Sequence, residues 1–418
     1  HGLNDIKAGA SRPQNIAKYK TTKVGVLGAG MMGAGIAYVT ASRGIQVILK
    51  DVSLETAEKG KAYSQKILDK KVTQGRMTAE QRDQVLSLIT ATATCEDLQG
   101  CDLIIEAVFE NPALKAQVTQ EVEPYLLHDG VMASNTSTLP IGELAQASKN
   151  EANFIGLHFF SPVDKMQLVE IIKGQNTSPE TLAKAFDFVQ QIGKIPIVVN
   201  DSRGFFTSRV FGSFVQEGLR LLAEGVHPAR IEMAALKAGM PVGPLAIQDE
   251  VSLTLSEHVA AETRKALRAE GKDLPHSAAD EVIDRMIHQF QRQGKAAGAG
   301  FYDYPENAKK HLWAGLSHWN KDTDISEQEM IDRFLFVQSL DTLRCLEEGV
   351  LTSVVDANVG SIFGIGFAPW SGGAIQYLNQ YGLEKALIRA NSLEAKYGAR
   401  FKAPELLKDK IRLGELIT

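Results

Sequence analysis

Lys23-Val24-Gly25-Val26-Leu27-Gly28-Ala29-Gly30-Met31-Met32-Gly33 carries an apolar, strand-like pattern straight into a glycine-spaced turn, and the residues that follow read as a helix. Gly28 permits a tight turn, Gly30 lets backbone approach a pyrophosphate, and Gly33 lets the helix pack hard on the strand, its first N–H groups facing the phosphates. Glycine spacing alone is weak, but a second apolar run, Ile45–Leu49, leads to Asp51, 21 residues past Gly30 (51 − 30). That is where a carboxylate reaches the adenosine ribose. The constellation predicts a dinucleotide cradle, against the plainer reading of an ordinary βαβ turn ending in a solvated Asp. No arginine directly follows Asp51, so NAD is expected over NADP.

The chain has 418 residues, 44% of them hydrophobic and 23% charged, enough for two or three domains with ample core. A formal charge of −5 argues against a nucleic-acid binder. No apolar run approaches membrane-spanning length, and His1-Gly2-Leu3-Asn4-Asp5 lacks a signal-peptide layout. A cytoplasmic location is expected, and the absent initiator Met suggests a processed or excised fragment. Cys95, Cys101 and Cys345 match no zinc or redox spacing and read as reduced structural thiols.

From Lys23 to Asn200, strand-like runs alternate with amphipathic stretches, as in a parallel sheet flanked by helices. The strands are expected at Val24–Leu27, Ile45–Leu49, Leu103–Val108, Val131–Ala133, Phe154–Phe159, Leu168–Ile172 and Ile195–Val199. Asn111-Pro112, Ser178-Pro179 and Thr78 with Gln81 read as helix N-termini. After Asp201 the pattern turns helical and repeats itself. Arg209, Arg220 and Glu224-Gly225-Val226 recur as Arg333, Arg344 and Glu348-Gly349-Val350 at an offset of 124 (333 − 209), while Gly239–Pro244 is echoed by Gly364–Pro369 at 125 (364 − 239). The fold class is therefore an α/β Rossmann-type nucleotide-binding domain followed by two related all-α domains stacked on one another. The expected limits are a linker over 1–21, the nucleotide domain over 22–201, and helical domains over 202–305 and 306–418, joined near the breaker-rich Gly294–Pro305.

His158 closes the apolar run Asn153-Phe-Ile-Gly-Leu-His, at the strand end where α/β proteins place ligand-contacting groups. Glu170 interrupts Leu168-Val169-Glu170-Ile171-Ile172, and a carboxylate in such a run needs a partner. Each is the natural partner of the other. Glu170 would hold one ring nitrogen and leave the second free to take a proton from an alcohol. A satisfied core histidine is the plainer alternative, and proximity to a nicotinamide cradle favours the acid–base pair. Ser134-Asn135-Thr136-Ser137-Thr138 follows a strand and suits either ligand contact or helix capping. Glu110 and Lys115 suit ribose contact or a surface ion pair. Lys66, Lys70, Lys71 and Arg76 form a basic cluster that could meet the phosphates of a large substrate.

With these residues assembled, the chain resembles the L-3-hydroxyacyl-CoA dehydrogenase family, and more narrowly the dehydrogenase half of the alpha subunit of bacterial fatty-acid β-oxidation complexes. The resemblance rests on Gly28-x-Gly30-x-Met32-Gly33, Ser134-Asn-Thr-Ser137, His158-Phe-Phe-Ser-Pro with Glu170, Asp201-Ser-Arg-Gly204-Phe205, Gly243-Pro244 and Gly300-Phe301-Tyr302-x-Tyr304. It implies NAD-dependent oxidation of L-3-hydroxyacyl-CoA, with His158 as catalytic base and Glu170 as its partner. It further implies Ser137, Ser208 and Phe363 as substrate contacts. The implied cofactor contacts are Gly28, Gly30, Met32, Gly33, Asp51, Val108, Glu110, Lys115, Asn135 and Ser161. The first residues resemble a linker after an enoyl-CoA hydratase domain, which, with a thiolase subunit, is the implied partner. Three positions depart from the common pattern: Ser161 and Ser208 where asparagine is usual, and Phe363 where tyrosine is. Two other functions compete. A dehydrogenase of a small free β-hydroxy acid would use a lysine in place of the His–Glu pair, and a non-catalytic NAD-binding subunit would have no need of His158 and Glu170.

Overall fold

A computed structural model describes residues 1–418. They divide into two compact units, the first made of His1–Ser208, Glu348–Gly364 and Thr418, the second of Arg209–Glu347 and Ile365–Ile417.

The first unit holds an eight-stranded sheet, comprising β1 (Lys23–Leu27), β2 (Gln46–Lys50), β3 (Ile89–Thr92), β4 (Cys101–Glu106), β5 (Leu126–Ser134), β6 (Phe154–Phe159), β7 (Leu168–Lys173) and β8 (Ile195–Asn200). Its order is β3-β2-β1-β4-β5-β6-β7-β8. The helices of this part are α1 (Gly2–Lys7), α2 (Met31–Ala41), α3 (Leu54–Thr73), α4 (Ala79–Ser87), α5 (Pro112–Val122), α6 (Ile141–Ala145) and α7 (Pro179–Gln191). Three N-termini form as their residues dictate. Asn111 caps α5, Ser178 caps α7, and Thr78 with Gln81 closes a capping box on α4.

Two expectations for the sheet need correction. It is not wholly parallel, since β6 and β7 pair antiparallel. Phe160–Gln167 is too short to carry the helical crossover that parallel neighbours require. The edge strand β3 went unseen because Ile-Thr-Ala-Thr is short and only half apolar. Nor is the segment before residue 22 a detached linker. Ile6 is fully buried, and the Arg12 guanidinium makes a largely buried 2.7 Å ion pair with Asp187 of α7.

The remaining helices are α8 (Thr207–Ala223), α9 (Pro228–Ala238), α10 (Pro244–Val251), α11 (Leu253–Ala269), α12 (Ala278–Asp284), α13 (Glu327–Glu347), α14 (Val354–Ile365), α15 (Ala374–Tyr381), α16 (Leu383–Tyr397) and α17 (Glu405–Leu413). No helix is long and apolar enough to cross a membrane. α13 packs on α9 within the second unit, while most of α14 belongs to the first. The Gly294–Pro305 segment is likewise no free linker. Asp249 accepts hydrogen bonds from the Phe301 and Tyr302 N–H groups and from the Tyr304 hydroxyl, and Glu232 accepts one from the Tyr302 hydroxyl. Burial pushes both carboxyls above the usual carboxylate range, and these donors partly offset it.

The repeat leaves a reciprocal signature in the second unit. Arg333 Nε donates to Glu217 Oε1 at 2.7 Å, and Arg209 Nε donates to Asp341 Oδ1 at 3.2 Å. Asp341 stands 124 residues after Glu217, as Arg333 does after Arg209 (341 − 217, 333 − 209). Each repeat thus gives its arginine to the carboxylate at the equivalent position of the other, the relation expected of two copies about a two-fold axis. Arg333 and Glu217 are fully buried, and Arg333 also pairs with Glu224 and lies 3.9 Å over the Tyr397 ring. Arg333→Met should cost about 3 kcal/mol, since Glu217 keeps only Arg400 as a charged partner. Urea unfolding checks this, and a loss below about 0.5 kcal/mol would show that Arg400 alone suffices.

Candidate active site

The candidate residues gather at the edge of the sheet where β1, β2, β4, β5 and β6 end. The strand order reverses between β1 and β4, the switch point at which open α/β sheets bind ligands. Gly28 has φ +90°, and a Cβ there would lie 2.7 Å from the Ala107 carbonyl oxygen. A Cβ on Gly33 would come within 1.7 Å of the Gly28 carbonyl oxygen, whereas one on Gly30 would meet open space. Gly28 and Gly33 are therefore demanded by the turn, and Gly30 leaves room in front of it. No side chain caps the first N–H groups of α2, and no acidic residue occupies its first turn. This helix end is open to an anion.

Asp51 follows β2 and turns both oxygens onto backbone, accepting from Ala29 N–H at 2.7 Å and Val52 N–H at 2.6 Å. It thereby ties the β2 end to the glycine turn. Beyond the ends of β1, β2 and β4, Met31, Val52, Leu54 and Phe109 are exposed, Val52 and Phe109 by 89% and 86%. Exposed apolar side chains at this edge of the sheet are of the kind that a flat heterocycle covers. Val52 and Phe109 were not apparent in the sequence, because an isolated apolar residue after a strand carries no periodic signal. Met32 is half-buried within the first turn of α2.

β6 and β7 place His158 directly opposite Glu170. His158 Nδ1 lies 2.9 Å from Glu170 Oε1, with the imidazole nearly buried and the carboxylate completely so. Since a carboxylate accepts, the ring hydrogen sits on Nδ1 and Nε2 is left as the acceptor. Glu170 Oε2 accepts from the N–H groups of Phe206 and Thr207, each at 3.1 Å, and Oε1 also accepts the Thr207 hydroxyl at 2.6 Å. These three donors went unseen in the sequence. They reach Glu170 only because the chain after β8 returns to this edge. Phe160 lies against the imidazole at a centroid distance of 4.4 Å, its ring tilted by 40°.

The neighbouring polar cluster corrects one expectation. Lys115 is no surface partner of Glu110. It is buried, and its Nζ lies 2.9 Å from Glu106 Oε2 against 3.6 Å from Glu110. Burial raises the Glu106 carboxyl above the usual range, and Lys115 and the Ser134 hydroxyl oppose that shift. Lys115 also donates to the Val108 carbonyl, and Glu106 accepts from Val108 N–H, so the pair fixes Val108 from both sides. Glu110 instead accepts from the Thr136 hydroxyl at 2.6 Å and from the Ser137 N–H and hydroxyl at 3.0 and 3.1 Å. Asn135 Oδ1 accepts from Phe159 N–H at 2.9 Å, joining the ends of β5 and β6.

Ser161, beyond His158, is exposed and donates to Met31 Sδ at 3.4 Å, reaching the glycine turn. Lys194 holds the 160–167 loop by donating to the Val163 and Met166 carbonyls, and burial lowers its ammonium pKa to about 8. Ser208 is half-buried immediately after Thr207, and Phe363 is half-buried on α14. The structure thus brings the glycine turn, Asp51, Val108, Glu110, Asn135, Ser137, His158, Ser161 and Glu170 to one unit and one edge. Lys115 acts there from within, through Glu106 and Val108.

Residues 23–202 match the family described as 3-hydroxyacyl-CoA dehydrogenase, NAD binding domain, and residues 204–304 match its C-terminal domain. A fatty acid oxidation complex subunit alpha from Shewanella amazonensis is 36% identical over 407 residues, covering 96% of this chain and 56% of that protein. Its counterpart from Shewanella frigidimarina is 38% identical over 389 residues, covering 91% and 54%. The chain spans about half the length of these relatives. Among solved structures, an (S)-3-hydroxybutyryl-CoA dehydrogenase from Ralstonia eutropha is 31% identical with a TM-score of 0.63, covering 69% of this chain and all of that one. A 3-hydroxybutyryl-CoA dehydrogenase from Escherichia coli shares the fold at a TM-score of 0.79 and 23% identity, over 94% of this chain and 99% of that one.

The Glu106–Lys115 pair yields a test. Lys115→Met should lower stability by about 3 kcal/mol at neutral pH, through an uncompensated buried carboxylate. Because Glu106 titrates higher folded than unfolded, the folded state takes up the extra proton as pH falls through that interval. The loss should therefore shrink towards acid pH. Denaturation across pH checks the sign, and a loss that grew on acidification would refute the assignment.

Proposed function

The chain belongs to the 3-hydroxyacyl-CoA dehydrogenase family, and from that premise we propose that it oxidises L-3-hydroxyacyl-CoA to 3-ketoacyl-CoA with NAD, as the dehydrogenase step of fatty-acid β-oxidation. The observation that carries this reading is the buried His158–Glu170 pair beside an open glycine turn.

The residues suit the cofactor. The open space at Gly30 and the uncapped start of α2 suit a pyrophosphate, Asp51 suits an adenosine ribose, and Val52 with Phe109 suits an adenine. When bound, NAD supplies the two-electron acceptor. His158 Nε2 takes the proton of the substrate hydroxyl, and Glu170 stabilises the resulting imidazolium through Nδ1. Ser137, whose hydroxyl donates to Glu110 here, would turn that hydrogen to the reacting oxygen when substrate binds. Asn135, with its Oδ1 held by Phe159, offers its NH2 group to the nicotinamide end. Ser161 and Met32 complete the cofactor face, with Val108 placed by the Glu106–Lys115 pair. Ser208, shorter than the usual asparagine, would reach substrate through a water molecule. Phe363 supplies an aromatic wall without a hydroxyl. Lys66, Lys70, Lys71 and Arg76, on and just beyond α3, are the basic groups proposed to meet the coenzyme A phosphates.

The relatives are named as alpha subunits of a fatty acid oxidation complex. An enoyl-CoA hydratase domain and a thiolase subunit are accordingly the proposed partners, the cytoplasm the proposed compartment, and residues 306–418 the proposed second copy of the helical domain.

NADH absorbance should rise with L-3-hydroxyacyl-CoA and not with the matching free acid. A rise with the free acid alone would transfer the assignment to small β-hydroxy acids, and no rise with either would leave an NAD-binding subunit. His158→Ala should lower turnover by about 10²–10⁴-fold with NAD affinity kept, and near-normal turnover in the folded variant would remove His158 as the base. Asp51 should make kcat/KM higher with NAD than with NADP, because its carboxylate repels a 2′-phosphate. The reverse preference would mean that Asp51 does not face the ribose.

A further inference from the structure

We infer that Thr207 is a positioning residue that keeps His158 ready to accept a proton, and that α14 seats it through Gly364. The inference rests on His158 being the base. Glu170 Oε1 is shared between His158 Nδ1 at 2.9 Å and the Thr207 hydroxyl at 2.6 Å, and that hydroxyl lies 3.4 Å from Nδ1. Thr207 is fully buried, so its hydroxyl has no water to turn to. A carboxylate oxygen that accepts two hydrogen bonds gives less of its charge to each donor. Thr207 therefore weakens the pull of Glu170 on the Nδ1 hydrogen while the ring stays oriented with Nε2 as its acceptor. Too strong a partner would leave the base already protonated, and too weak a partner would fail to orient it.

The side chain is held from behind. A Cβ on Gly364 would lie 2.7 Å from Leu168 Cδ2 and 3.3 Å from the Thr207 methyl carbon, Cγ2. One turn earlier, a Cβ on Gly360 would lie 2.7 Å from Ile197 Cδ1 and 2.9 Å from Phe206 Cε2. These two glycines let α14 close onto β7, β8 and the start of α8, which fixes the methyl of Thr207 and aims its hydroxyl at Oε1. Of the charged groups on the elements packed around His158, only Glu170 bonds the ring. Asp201 accepts from the Ile141 and Gly142 N–H groups, Arg203 lies 3.9 Å from Glu143, and Asp356 of α14 accepts from Val198 N–H and the Ser11 hydroxyl.

The test compares Thr207→Val, which keeps shape and removes the donor, with Thr207→Ser, which keeps the donor. In Thr207→Val the acid limb of the kcat/KM profile should move up by about one pH unit, while Thr207→Ser stays near the parent chain. Imidazole 15N resonances of His158, titrated without substrate, should move in the same sense. This second readout stands even if the reaction itself is misassigned, so the two failures are distinguishable. A Thr207→Val titration that superimposes on the parent, or a Thr207→Ser shift as large as that of Val, overturns the inference. Gly364→Ala should lower kcat about fivefold with NAD affinity unchanged, because the new methyl displaces Leu168 or Thr207. An unchanged kcat would detach α14 from the device.

Discussion

The antiparallel register that sets His158 opposite Glu170 is the constraint on which the rest of the first unit depends. A slip of one residue would turn Glu170 to the other face of the sheet and leave a buried carboxylate without its imidazole. The register is set by the short return after β6, and its cost is a fully buried acid that needs four donors. One comes from β6 and three from Phe206 and Thr207, so the chain leaving β8 must come back to the same edge. It does so through Phe205, a bulky residue at φ +50°, an unfavourable conformation that places the next two N–H groups on Glu170. Local backbone strain is exchanged there for satisfaction of a buried charge.

The same device recurs on the cofactor side. Glu106 is buried at the end of β4 and answered by Lys115 and Ser134, and the pair sets Val108 beside the glycine turn. Two buried carboxylates, one at the end of β4 and one near the start of β7, fix the groups that face a ligand without facing it themselves. In the second unit a third buried carboxylate, Glu217, is answered by Arg333 and Arg400, and the Arg209–Asp341 pair mirrors it. The repetition seen in the sequence thus survives as exchanged charges.

Much of this was legible in the sequence. The glycine turn, Asp51 and the His158–Glu170 pair carry strong local signals, because they combine apolar runs with residues that such runs normally exclude. Seven strands follow from apolar runs, and β3 escaped because an edge strand needs few apolar residues. What stayed hidden depends on tertiary return. Lys115 reads as a surface lysine until Glu106 is seen beneath it, and Thr207 reads as a helix start until Glu170 is seen above it. The anchoring of the Gly294–Pro305 turn stayed hidden for a related reason. Breaker residues mark a change of direction, and here Asp249 and Glu232 tie that turn back into the unit.

The central claim is that the buried carboxylate opposite His158 makes the imidazole a competent base for alcohol oxidation. Steady-state turnover of Glu170→Gln with L-3-hydroxyacyl-CoA and NAD, measured beside NAD affinity and thermal stability, tests it most directly. The account predicts turnover lower by about 10²-fold or more in a folded variant that still binds NAD, because the imidazolium loses its charge partner. Parent-like turnover in that variant would contradict it.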